Sequence, residues 1–139
     1  MSDPAAERHT GRSIWAVVAG FLFVIAISLA TDGALHLARV FPPIPQRMSD
    51  RLFLLATAYR LVYGVAGSYL TARLAPAKPM KHALVGGWVG VLISGLGAAF
   101  TWNHEPSLGP HWYSLVLVAT ALPCAWLGAR IRLRELARG

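Results

Sequence analysis

Four long apolar stretches alternate with short polar ones along this chain. Residues about 13–38, 52–75, 83–102 and 112–130 carry few charges, and FPPIPQRMSDR, PAKPMKH and NHEPSLGPH separate them. Crossing roughly 30 Å of hydrocarbon takes about 20 helical residues at about 1.5 Å each, so every stretch is long enough to span a bilayer. The separators are rich in proline or polar residues and too short to form a domain. The pattern predicts an all-α integral membrane four-helix bundle, with residues 1–139 forming one four-span domain.

The first stretch has a second reading. Arg8 and Arg12, the apolar run and Ser28-Leu29-Ala30 also fit a signal peptide cleaved after Ala30. The run is longer than a usual signal core and three more spans follow, which favours a retained helix.

Composition agrees with the pattern. Of 139 residues, 55% are hydrophobic and 14% charged, against about a quarter charged in an average soluble domain, and the mean hydropathy is +0.50. A net charge of +7 raises nucleic-acid binding as a class. The basic residues are scattered between apolar spans rather than gathered on one face, so no nucleic-acid partner is expected. Cys124, the single cysteine, lies inside the fourth stretch, which leaves no disulfide framework and no cysteine-based metal signature.

Lysine and arginine in short loops favour the cytoplasmic side. Arg8, Arg12, Arg73, Lys78, Lys81, Arg130, Arg132, Arg134 and Arg138 fall on one side of a four-span topology, and Arg39, Arg47 and Arg51 on the other. Both termini are therefore expected in the cytoplasm. Trp102, Trp112 and Tyr113 then belong at the outer interface, with Trp15, Tyr69 and Trp126 nearer the inner one.

Two charges lie inside the spans. Arg60 stands about nine residues in from Arg51, at a depth where an unpaired arginine costs roughly 3 kcal/mol or more. Steps of four from it reach Gly64, Ser68 and Ala72, a small-residue face that turns the arginine into the bundle. On the first span, Ser28, Asp32 and His36 share a face, and Asp32 lies about seven residues in from Arg39. Opposite charges at one depth on adjacent antiparallel helices predict an Asp32–Arg60 ion pair. Such a pair either fixes helix register or forms the centre of a polar site, and the sequence leaves both open, together with the case in which the two do not meet.

His36, Tyr59, Tyr63, Trp102, His104, Glu105 and His111 belong near the same outer level. Asp32 and His36 at i,i+4, with His104, Glu105 or His111, could ligate zinc or another divalent ion. The spacing is nonspecific and matches no metal signature, so the metal and any cofactor remain unknown from sequence. On the third span, Gly86, Gly90, Ser94 and Ala98 recur every four residues and predict a close helix contact, within the chain or with a second copy. Pro123 should kink the fourth span or remove one of its backbone hydrogen bonds. GSYLTARL at 67–74 and CAWLGARI at 124–131 form a faint repeat, readable as two parallel hairpins or as a recurring interfacial anchor.

The strings TDGALH, AYRLVYGVAGSYLTARLAP, HALVGGWVG and GPHWYSLVLVATALPCAWLGARIR together resemble a group of small bacterial four-span membrane proteins left as uncharacterised. The resemblance implies a bacterial inner-membrane location and carries no activity to these residues. In size and span count the chain is also similar to small multidrug-resistance transporters. Those place their key acidic residue near the middle of the first span, whereas Asp32 lies near its outer end, so that similarity is architectural. The expected function is that of a binding or accessory subunit or a small transporter-like oligomer. Its expected partners are the lipid bilayer and, for an oligomer, further copies or a larger membrane complex. The alternative is a membrane enzyme using Asp32, His36, Tyr59, His104 and His111 for acid–base or metal-assisted chemistry. No Ser-His-Asp pattern, phosphate loop or dinucleotide fingerprint supports that alternative.

Overall fold

The computed structural model describes residues 4–104 and 108–139, with side chains from residue 9 onward. It contains four helices: α1 Pro4–Leu37, α2 Asp50–Leu74, α3 Pro79–Thr101 and α4 His111–Arg138. Local chemistry sets their ends. At the end of α1, the Leu35 carbonyl accepts from the Val40 N–H at 2.9 Å and the His36 carbonyl from the Arg39 N–H at 3.0 Å. Arg39 takes φ 57° to allow it, a Schellman closure with arginine where glycine is usual. Pro79 occupies the first turn of α3, where its missing N–H costs nothing. The helix α4 continues through Pro123 to Arg138.

Side-chain neighbours give the packing order. Gly20 of α1 lies against Gly67 and Thr71 of α2, so these helices run antiparallel. Gly87 of α3 meets Leu122 and Ala125 of α4, also antiparallel, while Gly64 and Gly128 join α2 and α4 in parallel. The two hairpins thus lie side by side in the same sense. A two-fold axis relating them is absent, because α2 touches α3 while α1 and α4 make no close approach.

The packing is inside-out relative to a water-soluble bundle. Ala16, Ala56, Ala72, Ala83, Ala125 and Ala129 are buried, whereas Leu22, Leu29, Leu92, Leu96 and Phe100 are exposed. In water such a surface would be a liability; in lipid, small residues between helices and large apolar ones outside are the expected distribution. Three helices, α1, α3 and α4, are long and apolar enough to cross a membrane. The remaining helix, α2, carries Arg60, Tyr59, Tyr63, Ser68 and Tyr69, which lower its hydropathy. It touches all three other helices, so those polar groups have neighbours.

Candidate functional site

Asp32 and Arg60 meet. Arg60 Nη2 donates to Asp32 Oδ2 at 2.6 Å, and the two side chains are 29% and 25% exposed. Tyr59, one residue before the arginine, donates its hydroxyl to the other carboxylate oxygen. Each oxygen of Asp32 therefore has a donor from α2, while the guanidinium also lies over the rings of Tyr59 at 5.9 Å and Tyr113 at 5.7 Å. Aromatic faces favour a cation where hydration is reduced. Arg60 Nε and Nη1 find no acceptor among the described residues.

A second polar contact lies one residue before Asp32. Thr31 donates to the Ile27 carbonyl at 2.8 Å, and the Tyr63 hydroxyl lies 2.8 Å from Thr31 Oγ1. A hydroxyl has one hydrogen, so Tyr63 is the donor of that pair. Two tyrosines and an arginine on α2 thus clamp the end of α1 through Thr31 and Asp32.

The other expected members lie elsewhere. His36 Nδ1 donates to the Asp32 backbone carbonyl at 2.8 Å, and its ring meets Phe41 edge-on at 5.4 Å. His111 stacks on Trp102 at 3.9 Å between centroids and donates from Nε2 to the Trp102 carbonyl at 3.2 Å. His104 is exposed in the loop after α3, and Glu105 lies outside the described residues. No three His, Cys, Asp or Glu side chains converge on a metal position among the described residues. The cluster thus comprises Asp32, Tyr59, Arg60, Tyr63 and Thr31, with Tyr113 beside it. The hydroxyl of Tyr113 is buried and has no hydrogen-bond partner among the described residues.

Below the ion pair is a crevice of about 430 Å³ lined from all four helices. Asp32 and Arg60 are at one end, and Gly20, Thr71 and Ala83 toward the other. Its α1 wall is mainly apolar, with Phe21, Val24, Ile25 and Leu29 beside Ser28; its α3 wall includes Gly86, Gly90 and Ser94. The small-residue stripe on α3 therefore borders open space. A Cβ at Gly90 would sit at ordinary distances, 3.6 Å from Ala121 and 3.9 Å from Phe21, and one at Gly86 would lie 3.8 Å from Val17. Close approach falls at Gly87, where a Cβ would be 2.7 Å from that of Ala125. Gly64 is likewise relaxed, 3.5 Å from Cys124, whose thiol donates to the Leu61 carbonyl at 3.7 Å.

The tightest contacts, at Gly20, Gly67, Gly87 and Gly128, escape a reading of stripes at steps of four. A Cβ on Gly128 would lie 2.5 Å from the Val65 carbonyl and 2.6 Å from the Tyr69 nitrogen. Comparison with family models, with curated proteins and with solved structures returned no match. The site is therefore read from its own geometry.

Proposed function

We propose that this protein is a multi-pass inner-membrane protein that holds a small amphipathic molecule between its helices, as a binding or accessory subunit or a transporter-like oligomer. In this reading all four helices cross the bilayer and both termini are cytoplasmic. The observation that carries it is the crevice of about 430 Å³ with a charged pair at one end. That volume lies within the range of small-molecule sites, about 300–1,000 Å³, and the mixture of apolar walls with a few convergent polar groups is what such sites share. With both Asp32 oxygens accepting from Tyr59 and Arg60, the carboxylate is arranged to hold charge in place, which favours binding over proton transfer.

The topology is tested with single cysteines on a Cys124→Ala background. An impermeant thiol reagent applied to intact cells should label a cysteine at Gln46 or Asn103 and spare one at Lys78. Labelling at Lys78 would overturn the orientation, and labelling of Gln46 and Asn103 on opposite sides would overturn the four-span reading.

A further inference from the structure

We infer that the crevice takes a single-chain amphiphile with an uncharged, oxygen-bearing headgroup, its head at Arg60 and its tail along the seam between α1 and α3. This rests on the binding reading above and specifies what is bound. Twelve residues of helix separate Gly20 from Asp32, about 18 Å at about 1.5 Å per residue, so the space suits a chain better than a compact solute. The seam is the entry route. Of the helix pairs that touch, α1 and α3 pack least closely, and the α3 wall offers Gly86 and Gly90 where a bulkier residue would close it.

The headgroup follows from counting donors and charges. Arg60 uses Nη2 on Asp32, leaving the Nε and Nη1 hydrogens without acceptors among the described residues. Both Asp32 oxygens already accept. Each carboxylate oxygen thus has one donor in place, whereas the arginine's remaining hydrogens have no acceptor among the described residues; their complement is an acceptor oxygen on the ligand. Charge narrows the class further. The pair sums to zero, so an anionic headgroup would leave a net negative charge at depth, and a cationic one would face the arginine. An ester, ketone or hydroxyl headgroup supplies the oxygen and adds no charge. Ser28, Ser68 and Ser94 also line the crevice and make no hydrogen bond among the described residues, so a ligand oxygen farther along the chain would find partners too.

The test uses Ser94→Cys on a Cys124→Ala background, in phosphatidylcholine nanodiscs, and follows alkylation by N-ethylmaleimide. The probes are a long-chain monoacylglycerol, the fatty acid of the same chain in alkaline buffer, and the matching alkylamine. Monoacylglycerol at ten times its Kd should slow alkylation about tenfold, and the two charged probes should slow it less at equal concentration. Arg60→Lys keeps the charge but loses the fork of donors, and Asp32→Asn with Arg60→Gln removes both charges; each should weaken monoacylglycerol protection. Stronger protection by the fatty acid or the amine would overturn the uncharged headgroup and leave crevice binding standing. Protection by none of the three would overturn the binding reading itself. Slow alkylation that tracks dimer formation without any probe would mean that a helix of a second copy fills the seam, contrary to the inference.

Discussion

Arg60 reaches Asp32 with one guanidinium nitrogen, at 2.6 Å, from the helix that follows it in the chain. This contact joins α1 to α2 at the level where Tyr59 and Tyr63 make the same crossing. It also fixes one end of the crevice. The arginine's Nε and Nη1 hydrogens have no acceptor among the described residues, and the proposed binding role rests on them.

The two half-buried tyrosines whose rings lie against Arg60 should behave oppositely. Tyr59→Phe removes a donor to a carboxylate and should lower stability by roughly 1.5–3 kcal/mol. Tyr113→Phe removes a buried hydroxyl that has no partner among the described residues and should leave stability unchanged or raise it. Thermal unfolding in detergent measures both; a larger loss at Tyr113 would mean that its hydroxyl is bonded.

On α3, adjacent steps of the helix should separate cleanly. Gly87→Ala brings a methyl to within 2.7 Å of Ala125 Cβ and should cost roughly 1–3 kcal/mol by overpacking. Gly90→Ala meets only ordinary contacts and should be tolerated. Gly90→Leu should fold and abolish monoacylglycerol protection, because its side chain occupies the crevice. Equal melting temperatures for Gly87→Ala and Gly90→Ala would contradict the packing described.

Stripes at steps of four revealed the facing but not the depth. Asp32 and Arg60 were legible because a charge inside an apolar stretch demands a partner, and two such charges at one depth leave few arrangements. The glycines were not. Moving from Gly86 to Gly87 turns the helix by about 100°, and which of the two meets α4 depends on a rotation set by every neighbour. The crevice was illegible for the same reason, since it exists where α1 and α3 fail to close. The histidines misled differently. Their polarity marks a helix end, but His36 turns back to its own helix and His111 to Trp102, each satisfied locally.

Arg39 holds φ 57° at the end of α1, a conformation that costs a non-glycine residue roughly 1 kcal/mol. Arg39→Gly should leave stability unchanged or raise it slightly, since relief of that strain opposes the extra freedom glycine gains when unfolded. A fall of several degrees in Tm would show that the arginine side chain makes a contact worth more than the strain.

The central claim, that Asp32 and Arg60 neutralise each other across α1 and α2, is tested most directly by a double-mutant cycle on thermal stability. Asp32→Asn and Arg60→Gln alone should each be strongly destabilising, because each strands its partner's charge at depth. The double variant should recover much of that loss, with a coupling energy of roughly 1–3 kcal/mol. Losses that simply add, with no coupling between the two positions, would contradict the pair.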